Sequence, residues 1–206
     1  VEINSETDFV ARNEDFQNFC NLVSKTILSN KINNIDDLMN TNLESSKLSV
    51  SESLTELLAK IGENILIKRL DFIQSDNNIY TQKYIHNGVN ENSGKIGVLL
   101  SIKCDNNTEK LDLFTKNLAM HIAAMSPKSI DVDDLDKKLI EREKNIFHDQ
   151  EKKSNKPDEI KEKIINGKLN KFYSEVCLLK QDFVMENKTK VKDYVHTFEK
   201  ENNCNI

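Results

Sequence analysis

At 206 residues the chain has room for one large domain or two small ones. Its 37% hydrophobic and 31% charged content is that of a globular protein with a polar surface, and 29 Lys and Arg against 34 Asp and Glu leave a net charge of −5, with no single-sign field to recommend nucleic acid as a partner. No apolar run approaches the ~20 residues that cross a bilayer, no secretory signal is visible, and Cys20, Cys104, Cys177 and Cys204 form no C-x-x-C pair, which points to reduced thiols in a cytosol-like compartment rather than a disulfide framework or zinc site.

Residues 1–4 alternate apolar and polar, the pattern of a short strand. The polar loop 5–13 follows and carries Phe9 between Asp8 and Asn13, the N-cap of the next helix. A large aromatic on a loop, beside a carboxylate and a helix start, suits insertion into a partner's pocket. On residue type alone the alternative is that Phe9 folds back into its own core, where phenylalanine usually sits. Beyond Asn13, Phe16, Phe19, Cys20, Val23 and Ile27 recur at helical spacing, and Glu14 and Asp15 complement the dipole of the first turn. Residues 30–47 are polar and Asn-rich, a loop with one turn of helix at 35–39. Ser49-Val50-Ser51-Glu52 reads as a capping box opening a helix with the stripe Leu54, Leu57, Leu58 and Ile61, closed by Gly62.

The period then changes to two. Strands are predicted over 64–74, 79–86 and 95–103, the last the most hydrophobic, with turns at 76–78 and 87–94. This is an antiparallel meander flanked by helices, hence α+β. A helix over 108–125 puts Leu111, Phe114, Leu118, Ile122 and Met125 on one face, and Pro127 ends it. Strand, polar turn and Phe-containing helix occur at 1–28 and again at 95–125, a weak internal repeat. The acidic stretch 131–136 leads into a helical tract at 139–153, broken at 154–157. A second helix follows with Ile160, Ile164, Ile165, Leu169, Phe172, Tyr173 and Val176, and the two make an αα-hairpin. Phe183 and Val184 return to the core, and 189–200 is a last amphipathic helix carrying Val191, Tyr194, Val195 and Phe198.

Little in these residues points to catalysis. Asp131, Asp133, Asp134 and Asp136 lack the Gly, the bidentate Glu and the spacing of a calcium loop, and read as a solvated acidic helix start. His86, His148 and His196 have no metal-ligand spacing with one another or with any Cys. Neither G-x-x-x-x-G-K-[ST] nor G-x-S-x-G occurs, and no carboxylate pair stands beside a Lys or His as a catalytic set. The expectation is a protein with no metal, no cofactor and no enzymatic chemistry.

Four stretches in order carry a resemblance: SETDFVARN at 5–13 ahead of a Phe-rich helix, KIGENILIKR at 60–69, LAMHIAAMSP at 118–127, and KPDEIKEKIINGKLNKFYSEVCLLKQDFV at 156–184. They resemble the elongation factor Ts family, and the likeness covers nearly the whole chain. It implies an α+β fold of two similar subdomains, each an antiparallel sheet with flanking helices, plus a protruding helical hairpin, a coiled-coil module. The expected division is 1–94 for the first core subdomain, 95–136 with 183–206 for the second, and 137–182 for the inserted hairpin. It implies a guanine nucleotide exchange factor for elongation factor Tu that promotes GDP release by stabilising the nucleotide-free GTPase. The alternative is an interaction scaffold that binds elongation factor Tu without stimulating exchange.

By the same resemblance Thr7, Asp8, Phe9 and Val10 belong to the face that meets the GTPase domain, with Phe9 entering a pocket between two of its helices. Ile96, Gly97 and His121 resemble further contact positions. From residue type alone, Ile96 and Gly97 read equally as strand core with a close backbone approach at Gly97, and His121, one position off the apolar stripe, as a helix-surface or half-buried histidine. No direct nucleotide binding, nucleic acid or membrane is implied, and a homodimer is left open. The compartment implied is the bacterial cytoplasm, with a mitochondrial or other organelle matrix as the alternative. Family members also carry a small ubiquitin-associated-like module before this region and a strand after it. The expectation is that residues 1–206 alone bind more weakly, or exchange more poorly, than a family member carrying both.

Overall fold

A computed structural model of the chain describes residues 1–74, 78–105, 109–152, 154–186 and 188–206. The predicted turn at 76–78, the first residue of the helix at 108 and the last of the tract at 153 fall wholly or partly outside them. The fold is α+β. Contacts gather it into two units, Val1–Asp76 with Ile85–Gly97, and Asn77–Tyr84 with Val98–Ile206. The sequence-based division at 94/95 falls inside the strand Ser93–Lys103, and the contacts instead divide that strand after Gly97 and the strand Ile79–Asn90 after Tyr84.

In the first unit, strand β1 (Glu2–Ser5) pairs antiparallel with β2 (Ile65–Arg69), Ile3 opposite Ile67 and Ser5 opposite Ile65. This corrects the meander: among the described residues β2 pairs with β1 alone. Alternation with period two tells which side chains face inward, here Ile65 and Ile67, but says nothing about which strand supplies the hydrogen bonds. The strand is also shorter than predicted, because Leu70 and Phe72 pack against the core after pairing has stopped. Residues 8–11, expected as loop, form a single helical turn, α1 (Asp8–Ala11). Helix α2 (Glu14–Asn30) starts where Asn13 Oδ1 accepts from the N–H groups of Asp15 and Phe16 at 2.9 and 3.3 Å. Its stripe of Phe16, Phe19, Val23 and Ile27 packs with Leu38 of α3 (Ile35–Asn40) and with Val50, Leu54 and Leu57 of α4 (Val50–Ile61). The capping box is present at Ser49 and Glu52, and Gly62 closes α4 at φ 78°, a conformation that costs glycine nothing sterically.

Strands β3 (Ile79–Asn90) and β4 (Ser93–Lys103) pair in a second two-stranded sheet and are longer than expected, turning over 91–92 rather than 87–94. A two-stranded ribbon buries only what another element covers. So the strand with the highest hydropathy is largely exposed, Ile96 and Leu99 included, and only Ile102 at its base is buried.

In the second unit, α5 (Leu111–Met125) ends at Ser126, which takes a left-handed turn at φ 45° just ahead of Pro127. Its Phe114 stacks on Phe198 and Tyr194 of α8 (Val191–Asn202), with ring centroids 4.1 and 5.1 Å apart. Helices α6 (Lys137–Lys152) and α7 (Asp158–Val176) pack on each other across a short connection. Lys168 Nζ donates to Gln150 and Glu151 at 2.9 and 2.8 Å, and Ile165 and Leu169 are buried. After α7 the expected return of Phe183 and Val184 to the core is half right. Phe183 is buried and stacks on Tyr194 at 4.1 Å, but Val184 enters the turn that Glu186 N–H closes on the Phe183 carbonyl at 3.1 Å, and its side chain is 50% exposed.

Candidate functional site

Phe9 sits in the middle of α1 and is 88% exposed. Nothing about its residue type produces that; its neighbours do. Val10, one position on, is buried among Phe16, Ile65 and the rest of the first core and takes the inward direction of the turn. Thr7 caps the turn: its Oγ1 accepts from Val10 N–H at 3.3 Å and donates to the Glu63 carboxylate at 2.9 Å. Glu63 is held by the left-handed turn at Gly62, so the end of α4 and the start of α1 are tied together. Ala11 carbonyl accepts from Gln17 Nε2 at 2.6 Å. The same Gln17 side chain accepts from Asn90 Nδ2 at 2.8 Å and from the Ser93 hydroxyl, linking the turn to the tip of β3 and β4. Asp8 pairs with Lys95 Nζ at 3.1 Å.

Four of the expected contact residues are thereby brought to one short turn with distinct tasks. Thr7 and Val10 fasten it, Asp8 reaches across to β4, and Phe9 is displayed. Ile96, adjacent to Lys95, is 42% exposed rather than strand core. Gly97 shows no tight backbone approach, since a Cβ there would meet only Ile85 Cδ1 at an ordinary 3.7 Å. The close approach is at Gly94, where a Cβ would lie 2.5 Å from Ile85 Cγ2 and 2.8 Å from the His86 carbonyl. Asp8 and Lys95 are both well exposed, so their pair is screened and orients more than it stabilises.

His121 belongs to the second unit, and its ring is fully buried, neither surface-lying nor half-buried. Val184 N–H donates to Nδ1 at 3.2 Å, which leaves Nε2 to carry the proton and donate to Gln181 Oε1 at 3.0 Å. Gln181 is itself fully buried, and its Nε2 donates to the Glu175 carbonyl at 2.8 Å and more weakly to that of Met125. Every polar atom of the pair is thus engaged, which is how two polar side chains survive inside an apolar cluster. Burial holds the imidazole below its ordinary value of 6.5, partly offset by the bond to Gln181. What this arrangement shows to solvent is not the imidazole but the segment it holds: Val184 and Met185, 50% and 44% exposed. Sequence reasoning placed Val184 inside and passed over Met185, Gln181, Gln17 and Glu63. The signal available for Gln181 and Glu63 was their position within the resembling stretches 156–184 and 60–69.

The acidic stretch 131–136 spends its carboxylates on helix starts. Asp131 accepts from Val132 N–H at 2.8 Å, Asp134 from Asp131 N–H at 3.2 Å, and Asp136 from Lys138 N–H at 2.9 Å. Among the described residues no three His, Cys, Asp or Glu groups gather as a metal site, and no helix is long and apolar enough to cross a membrane.

The sequence model of the family described as Elongation factor TS matches residues 6–205. Elongation factor Ts of Rickettsia felis is 41% identical over 202 residues, which are 98% of this chain and 64% of that protein. Elongation factor Ts of Rickettsia prowazekii is 40% identical over 208 residues, 100% of this chain and 66% of its own. The protein of that name in Rhodospirillum centenum is 40% identical over 195 residues, 95% and 63% of the two chains. The chain therefore spans slightly less than two thirds of the length of these relatives.

Proposed function

The chain belongs to the elongation factor Ts family of translation factors, and from that premise we propose that it is the exchange-active region of a guanine nucleotide exchange factor acting on elongation factor Tu. The observation that carries the reading is Phe9, displayed at 88% exposure on a turn fastened at every neighbouring residue. Leaving a phenylalanine in water forgoes roughly 2–3 kcal/mol of burial. A fold that anchors the surrounding turn in order to do so has a use for the ring outside itself, and a rigid aromatic anchor is the side chain that most often dominates an interface.

The protein performs no covalent step in this reading. It binds the empty GTPase more tightly than the loaded one, and linkage then weakens nucleotide binding by the same factor. Moving the balance ten-thousand-fold needs about 5.5 kcal/mol of differential affinity. One ring cannot supply all of that. The Phe9 turn with Ile96 in the first unit and the His121-held segment with Val184 and Met185 in the second are the two areas offered for contact. His121 acts there by shaping the segment. The working compartment is one where translation runs, the bacterial cytoplasm in the first instance.

The test is release of a fluorescent GDP from elongation factor Tu with and without the chain. Stimulated release supports exchange, and binding without stimulation supports the scaffold. With Phe9→Ala, stimulation falls at least tenfold while the circular dichroism spectrum and melting curve are unchanged. A folded Phe9→Ala variant that exchanges as well as the parent would overturn the role of the ring.

A further inference from the structure

The second unit holds a further feature, outside the two areas proposed above for partner contact. Helix α8 ends at Asn202, and Asn203 takes a left-handed conformation at φ 49°, turning the chain back so that Cys204 N–H donates to the Glu199 carbonyl at 3.2 Å. Ile206 N–H reaches the Glu199 carboxylate at 2.9 Å. This folded-back segment meets the end of β4. Asn205 donates from its backbone N–H and from Nδ2 to the two oxygens of Asp105, at 2.8 and 2.7 Å. That two-pronged clamp joins residues 105 and 205, so the residues just before each are neighbours too, and both are cysteines. Cys104 and Cys204 are buried in one apolar cluster with Ile102, Leu111, Phe114 and Phe198, and their thiols share a hydrogen bond. Both are in the reduced form. Cys20, on α2 of the first unit, and Cys177, against the Ser129 hydroxyl, lie outside this cluster.

We propose that Cys104 and Cys204 are a redox-active dithiol that a low-molecular-weight disulfide, such as oxidised glutathione, closes to a bridge tying the segment after α8 to the base of β4. Access orders the two sulfurs. Cys104 lines a cavity of about 210 Å³ together with Lys103, Asp105, Asn205 and Ile206, so a small oxidant meets it first. Its thiolate attacks one sulfur of the glutathione disulfide, forming a mixed disulfide and expelling one glutathione, which takes up the proton. Cys204 then releases its own proton, attacks the Cys104 sulfur and expels the second glutathione. Two protein thiols lose two electrons, and one disulfide gains them as two glutathiones. Burial and the neighbouring Cys104 push the Cys204 thiol up to about 11, so it stays protonated until the first step has placed an electrophilic sulfur against it. In reducing compartments such closure is transient and regulatory rather than structural.

The experiment treats the whole chain with oxidised glutathione, traps remaining thiols by alkylation in denaturant, and reads intact mass and peptide maps. The expected product has lost two hydrogens, contains a cross-linked peptide joining positions 104 and 204, retains alkylated Cys20 and Cys177, and reverts in dithiothreitol. Because the bridge closes a loop of about 100 residues, the oxidised chain should melt higher by roughly 5–10 °C. In Cys204→Ser the reaction stalls as a stable glutathione adduct on Cys104, which the parent chain does not accumulate. Full alkylation of both cysteines after oxidation, the same stable adduct in parent and variant, or bridges that recruit Cys20 or Cys177 would each overturn the proposal.

Discussion

The chain offers apolar side chains to solvent from two fastened segments, Phe9 in the first unit and Val184 with Met185 in the second, and the fastenings are opposite in kind. Around Phe9 they are surface contacts: a threonine cap on a glutamate, an amide on a carbonyl, and an exposed ion pair. Each is worth little singly, and together they hold a turn whose one buried anchor is Val10. Beneath Val184 the fastening is a fully buried histidine and glutamine, where each unmet bond is expensive. The first segment should therefore tolerate the loss of one contact, while the second should fail steeply and respond to acid.

The sharpest way to test that contrast is Gln181→Leu. It strands the His121 Nε2 proton in the core and takes away the donor to the Glu175 carbonyl at the end of α7, and should cost about 3 kcal/mol, a drop in Tm of roughly 5–10 °C. A loss under about 1 kcal/mol would put the buried pair on the same footing as the surface one. Next comes Phe9→Ala, expected to leave stability within about 0.5 kcal/mol while weakening partner binding by roughly 30-fold, the ratio for a 2 kcal/mol anchor.

The third test is acid. With its folded value depressed, His121 contributes in full above about 6.5, where both states are neutral. As pH falls below that, the unfolded chain takes up the proton first, and stability declines until the lowered folded value is passed. Urea midpoints measured from pH 7.5 to 5 should fall in the parent chain and fall less in His121→Gln; parallel slopes would remove His121 as the cause. The smallest effect is expected from Lys95→Ala. Breaking an ion pair this exposed should change stability by less than about 0.5 kcal/mol, and any change in partner association should shrink further at 0.5 M salt.

How much of this could be read in advance depends on how local the determining interaction is. The stripes of α2, α4 and α8, that of α5 except for Met125, which is exposed, the capping box at Ser49 and Glu52 and the closing turn at Gly62 were legible, because each is settled within a few residues by hydrogen bonds and spacing along one helix. The pairing of β2 with β1 was not. Its partner lies some sixty residues away, and two other strands of suitable pattern follow it more closely. At the candidate site the motif around Phe9 located the turn, yet residue type favoured a buried ring. Only the capture of Val10 by the core leaves Phe9 facing outward.

The sequence by itself determined the longer helices, the caps at Asn13, Ser49 and Gly62 and the family, since those are carried by short-range periodicity and by four contiguous stretches of residues in order. The tertiary structure alone decided which apolar groups remain outside. Phe9 and Val184 are exposed, and His121 is enclosed, because the core accepts one neighbour of each adjacent pair. That choice depends on which distant side chain, Glu63 for Thr7 or Gln181 for His121, arrives to satisfy the polar group beside it.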